Sequence, residues 1–448
     1  MKSINPKFAN NIIKALEAGV TPTLGIGNLL VGRNKEVEEV IKILTDIKEG
    51  GSDIRFWVGD FGSGKSFMLA TISNLALEKD FVCSTIDLAV QRRFYATDRK
   101  AVALYREIVD NIKTKSKRDS SALADIIESY LQEVFQKVSL KTNKPLEAII
   151  NGEDKALVEE IIISDISNFT NKSLSYEFSK ALIFYYRAII NQNTLDKLLA
   201  LRWFRADIPT KTESKRDLSI NQIINDDNYF DAIKLLGEFF LKAGYSGFVI
   251  NFDEAVNLYK IPQSVTRERN YERILNIYNE CKSNKARGIF INFGATFKTI
   301  YDENRGLSSY KALKSRLSLD SPSNLDIINT NKTVLELKVL TDEQIYTLLE
   351  NLLNIYNTNY KTNINLIKDD ILSYMNYQLN RPGAKEFLTP RAVIKDYLEI
   401  LDIKRQNDNF TINEILNSKF TDFNKAVSKD PLNLDDEIEI IWLNTMIC

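Results

Sequence analysis

The chain has 448 residues, with 59 Lys and Arg against 60 Asp and Glu, a formal charge of −1 and no histidine. That balance excludes a uniformly basic nucleic-acid binder, and the missing imidazole excludes Ser-His or Cys-His catalysis and histidine-ligated metals, leaving proton transfer to carboxylates. Cys83, Cys281 and Cys448 lack paired spacing, which argues against a disulfide framework or zinc site, and with neither a membrane-length apolar run nor a signal-peptide core the expected location is the cytoplasm, away from any membrane.

Residues 1–30 predict a helical lead-in, with Ile12, Ile13 and Leu16 on one face, ended by the breaker-rich Thr21-Pro22-Thr23-Leu24-Gly25. Leu30-Val31-Gly32-Arg33 then leads into a helix carrying Val37, Val40, Ile41 and Leu44, the start of a first core segment over 31–112. The run Asp53-Ile54-Arg55-Phe56-Trp57-Val58 reads as a strand, and Leu69, Ile72, Leu75 and Ala76 recur at helical spacing after it. Between them lies Gly59-Asp60-Phe61-Gly62-Ser63-Gly64-Lys65-Ser66, a complete G-x-x-x-x-G-K-[ST] loop in its required strand-loop-helix setting.

The chemistry of that octet is specific. Glycines at 59, 62 and 64 permit positive φ and close approach, so backbone N–H groups can turn toward phosphate oxygens. Lys65 faces the β- and γ-phosphates, Ser66 offers its hydroxyl to Mg²⁺, and the helix opening through Phe67 adds its positive end. The predicted ligand of 59–67 is therefore ATP with Mg²⁺.

Phe81–Asp87 reads as a second strand. From 113 to 235 the pattern is helical and polar, read as a helical insertion, with Tyr185, Tyr186, Trp203 and Phe204 expected in its core. Basic tracts at Lys113–Arg118 and Lys211–Arg216 read as exposed loops and, if the chain touches DNA weakly and without sequence preference, as the contact points. The core resumes over 236–340. Gly247–Glu254 is an apolar run ending in two acids, the pattern of a buried parallel strand delivering carboxylates to its C-terminal edge, with Asp253 placed to hold Mg²⁺ and Glu254 to orient or deprotonate water. Strands follow at Gly288–Thr296 and Thr333–Leu337. Strands alternating with helices predict an α/β fold, a parallel sheet flanked by helices.

Over 341–448 the chain is helical, a lid and tail. Thr341 with Gln344 forms a capping box, and Thr389-Pro390 opens a further helix. Arg391 occupies its first turn, where a cation opposes the helix dipole; it reads as a lid arginine reaching the γ-phosphate or as a surface arginine paired with Glu386 or solvent.

Taken together, Val31-Gly32-Arg33, the phosphate loop, Asp253-Glu254, the polar strand end at Thr296 and Arg391 resemble an AAA+ ATPase of the origin-recognition type. More narrowly, Phe56–Phe67, Tyr310–Leu317 and Leu388–Arg391 are similar to the BrxD-like ATP-binding proteins of BREX phage defence. The resemblance implies an AAA+ P-loop core with a helical lid, sensor 1 at Thr296 or Asn292, sensor 2 at Arg391, and a trans-acting arginine at Arg316 or Arg305. It further implies ATP hydrolysis by a self-associating switch or motor that works with other defence-system subunits on or near DNA. The alternative is a nucleotide-gated scaffold that scarcely turns ATP over and displays a partner-binding surface.

Overall fold

The computed structural model describes residues 4–96, 98–318, 329–381 and 389–427. Five strands, β1 (Ser52–Val58), β2 (Val82–Asp87), β3 (Phe248–Asp253), β4 (Ile289–Ala295) and β5 (Val334–Glu336), pair in parallel in the order β2-β3-β4-β1-β5. The α/β reading holds, with the strands close to their expected positions.

Alternation along each strand sends side chains to two cores. On one face Trp57, Cys83, Val249, Phe290 and Leu335 pack against Val40, Leu44 and Ile47 of the helix Asn34–Lys48 and Leu69, Ile72 and Ala76 of the helix Lys65–Glu78. On the other, Phe56, Phe252 and Phe293 stack in a row, with centroids 4.7 Å apart for Phe56–Phe293 and 5.1 Å for Phe252–Phe293. That second core runs on without a break into the helices between 123 and 242, where Tyr185, Tyr186, Trp203 and Phe204 are all buried.

By compactness the chain forms two units. One is Gly32–Val339, holding the sheet. The other joins the segment up to Val31 with the chain from Leu340 on. In the latter, the helix Pro6–Glu17 buries Ile12 and Ile13, Tyr360 donates a hydrogen bond to Glu17 at 3.0 Å, and the Thr341–Gln344 capping box forms.

One local expectation is corrected. Residues Lys211–Leu218 are a helix and not a loop, because Thr210 caps it by accepting from the Glu213 amide at 3.2 Å and Lys, Glu and Arg are good helix formers. Charge density marked this tract as exposed but did not mark it as irregular.

β1 is buried along its whole length although it carries Asp53 and Arg55. The arginine is satisfied from several sides: Nε donates to Asp53 at 2.8 Å, Nη2 to Glu39 at 3.2 Å and Nη1 to the Thr330 carbonyl at 3.1 Å, while Lys282 also bonds Asp53. This network anchors the N-terminal end of the strand that carries the phosphate loop at its other end. Arg55→Met would leave Asp53 and Glu39 as buried carboxylates short of a countercharge, costing about 3–5 kcal/mol. Chemical denaturation measures it, and a loss under about 1 kcal/mol would show that the network is not an anchor.

Candidate functional site

β1 ends at Val58 and the helix Lys65–Glu78 begins at the seventh residue after it, so the turn over 59–64 must be tight. Gly62 and Gly64 adopt positive φ, 83° and 91°, as expected, whereas Gly59 does not. Its need for glycine is spatial: a Cβ there would lie 2.4 Å from the Ser63 hydroxyl. Gly59 N–H donates to the Ala295 carbonyl at 3.1 Å, which stitches the loop to the end of β4.

The amides of Gly62, Gly64, Lys65 and Ser66 meet no acceptor among the described residues. Unpaired donors gathered at a helix N-terminus form an anion-binding cradle. The Lys65 ammonium bridges the carbonyls of Gly59 and Asp60 at 2.9 and 2.7 Å and lies 5.6 Å from the centroid of the exposed Phe61 ring. Burial pulls its pKa down, and Asp253, Asp60 and Glu254 push it back up. The lysine thus sits within the field of both acids that end β3.

Asp253 accepts the Glu254 amide at 2.8 Å, and Glu254 takes a left-handed φ of 53° with its side chain exposed. Such a conformation costs a β-carbon-bearing residue on the order of 1–3 kcal/mol and turns the carboxylate away from the course of the strand. Gly294 on β4 lies beside the pair: a Cβ there would come within 2.7 Å of Asp253 Oδ1, so only glycine leaves that carboxylate in place. Among the described residues no group of three or more Cys, Asp or Glu side chains is arranged to hold a metal. Ser66 and Asp253 suit Mg²⁺, which takes one or two protein oxygens and completes its shell with phosphate and water.

The remaining expected residues divide. Thr296 stands at the end of β4, where its hydroxyl accepts the Thr299 amide at 3.3 Å and lies 2.9 Å from the Thr299 hydroxyl. Asn292, by contrast, is fully buried inside the sheet and accepts the Trp57 indole N–H at 2.9 Å. Arg305 is held within its own unit, with Nη2 donating to the Tyr259 and Ile261 carbonyls at 3.3 Å each and its guanidinium 5.5 Å over the Tyr259 ring. Arg316 is exposed and makes no side-chain ion pair among the described residues. Arg391 is likewise exposed in the first turn of Pro390–Gln406, and Glu386, its alternative partner, lies outside the described residues.

Two residues carry more than their sequence suggested. Asp87 ends β2 in register with Asp253, and partial desolvation together with the Asp253 charge raises its pKa although its side chain still reaches solvent. It could have been found by the reasoning that found Asp253, as an acid closing an apolar strand. Arg33 is buried; it donates to the Ser63 carbonyl at 3.1 Å and to the Lys338 carbonyl, and pairs with Glu36 at 3.4 Å. Its place in Val31-Gly32-Arg33 marked it only through the resemblance, because the two carbonyls it grips are 30 and 305 residues away.

Arg33 therefore braces the loop from behind without facing a phosphate. Arg33→Ala should lower affinity for a fluorescent ATP analogue about tenfold, the equivalent of one hydrogen bond to a charged group, and Arg33→Lys should recover little because a single nitrogen on a flexible stem cannot hold both carbonyls and Glu36 as the planar guanidinium does with two. Unchanged affinity in both variants would show that the loop holds its shape unaided.

No described helix is long and apolar enough to cross a membrane. No curated protein matches the chain. A family model does: that of the BREX system ATP-binding protein BrxC/D matches residues 4–420, most of the sequence, and it agrees with the parallel sheet, the phosphate loop and its unpaired amides. The chain belongs to the BrxC/D family of BREX system ATP-binding proteins.

Proposed function

We propose that the protein is an ATP-hydrolysing AAA+ switch or motor subunit of a BREX-like anti-phage system, acting in the cytoplasm with partner subunits on or near DNA. Family membership supplies ATP binding; the case for turnover rests on Glu254. Its exposed carboxylate is held by a left-handed backbone one residue beyond Asp253 and acts on the Lys65 ammonium through space. A scaffold that only binds nucleotide has no use for a strained second acid there.

In this reading the loop amides and Lys65 take the β- and γ-phosphates, and Lys65 exchanges its carbonyl partners for phosphate oxygens. Ser66 and Asp253 would hold Mg²⁺, which would supply positive charge to offset that of the phosphates. Glu254 accepts the proton of the water whose oxygen attacks the γ-phosphorus, as the bond to the β-phosphate oxygen breaks and ADP leaves. Thr296 positions that water or the γ-phosphate, and Arg391 is assigned the sensor 2 role that the family resemblance implies. Arg316, the more exposed of the two candidate arginines, is assigned to the neighbouring protomer's nucleotide.

Lys65→Ala should abolish tight nucleotide binding, whereas Glu254→Gln should bind ATP and lose hydrolysis by at least about a hundredfold, the scale of a general base. Phosphate release and nucleotide titration read the two effects separately. Wild-type turnover by Glu254→Gln would remove the assignment, and full cellular activity of that variant without turnover would favour the scaffold.

The trans arginine has its own signature. Specific activity should rise with protein concentration, Arg316→Ala should bind ATP but hydrolyse it poorly, and mixing it with Lys65→Ala should restore part of the rate. A concentration-independent rate, or no rescue in mixtures shown to co-assemble, would point to a monomeric switch.

A further inference from the structure

The fold treats the two basic tracts differently. In 113–118 the cations are largely matched: Lys115 lies 3.9 Å from Glu78 and 3.7 Å from Asp80, Lys117 is 2.7 Å from Asp125, and Arg118 pairs with Glu78. In the helix Lys211–Leu218, Lys211 and Lys215 are exposed, four residues apart on one face, and form no ion pair among the described residues. With Thr212, Arg216 and Asn221 they line a cavity of about 510 Å³.

The acids around this cavity are already engaged. Glu213 pairs with Arg202 at 3.1 Å, Asp217 takes the fork of Arg216, and Glu177, which accepts the Asn221 amide, pairs with Lys180 at 3.1 Å. Two lysine charges are left without a local counterpart. Lys211 also sits in the first helical turn, where its charge works against the helix dipole, so helix stability does not account for it.

The lining contains neither an aromatic or aliphatic side chain nor a carboxylate. A nucleobase needs apolar or aromatic walls, and a divalent cation needs carboxylate oxygens. Ammonium, guanidinium, hydroxyl and amide groups together match phosphate oxygens. We propose that this cavity docks the phosphodiester backbone of DNA, by charge and without reading sequence. It lies in the helical segment between β2 and β3, apart from the phosphate loop in sequence, and it rests on the reading that the protein works at DNA.

The test uses the full-length protein and a labelled duplex of random sequence, followed by fluorescence anisotropy as NaCl is raised. Loss of two phosphate contacts in Lys211→Gln/Lys215→Gln should flatten the slope of log K against log salt by about 1.8 and weaken binding at low salt by tenfold or more, while Lys115→Gln/Lys117→Gln should leave the slope near wild type. ATP-analogue affinity, measured on the same samples, should be unchanged in all of them, so a failure of nucleotide binding is scored separately from a failure here. No duplex binding by the wild type, an unchanged slope in the Lys211/Lys215 variant, or an equal loss in the control variant would overturn the proposal. Displacement of the duplex by inorganic pyrophosphate as effectively as by unlabelled duplex would also overturn it, in favour of a small-anion site.

Discussion

A phosphate-binding loop has to leave its amides unpaired and yet keep one shape. Between Val58 and Lys65 the chain turns from a buried strand into a helix with the N–H groups of Gly62, Gly64, Lys65 and Ser66 meeting no acceptor among the described residues. The free energy of holding donors idle must come from elsewhere in the fold, since an unpaired polar group gains nothing until water or ligand reaches it. Here it comes from fixing both ends and the back of the loop. Ala295 accepts from Gly59, Arg33 grips the Ser63 carbonyl, and the buried Arg55 network secures the far end of β1. The ligand then replaces solvent at donors that are already placed, which is how preorganisation saves ordering entropy on binding.

Charge at the carboxyl edge of the sheet follows from the same geometry. Parallel strands bring Asp87 and Asp253 side by side, and the partly desolvated Asp87 responds with a raised pKa. Lys65 offsets part of this crowding, and its ammonium at rest is held by carbonyls that hydrogen-bond it but carry no net charge. In the function proposed above, a triphosphate arriving with Mg²⁺ would give the lysine an anion and the acids a cation together. Gly294 keeps room for that exchange by leaving the Asp253 carboxylate uncrowded.

The parts of this site that were legible in the sequence are those written in consecutive residues. Gly59–Ser66 and Gly247–Glu254 each carry their chemistry within one strand and the turn after it, so spacing and residue type sufficed. Asp87 was visible in the same way, but a lone acid after a strand says little until β3 is known to lie beside it. Arg33 and Gly294 could not be read locally, because their importance lies in contacts with Ser63, Lys338 and Asp253 that only the folded sheet creates. Asn292 was named only through the family resemblance; register with Arg55 places it inside the sheet, where it accepts the Trp57 indole N–H. The 211–216 tract misled in another way: its charges suggested a loop, while its cap and helix-forming side chains make a helix.

The account's central claim is that the resting loop is the ATP site, held ready by its own framework. A crystal structure with a non-hydrolysable ATP analogue and Mg²⁺ tests it most directly. The account predicts that Lys65 Nζ leaves the Gly59 and Asp60 carbonyls for β- and γ-phosphate oxygens, that the loop amides bond the phosphates with little backbone movement, and that Asp253 lies in the shell of the metal. Nucleotide bound elsewhere, or bound here with Lys65 still on its two carbonyls, would contradict it.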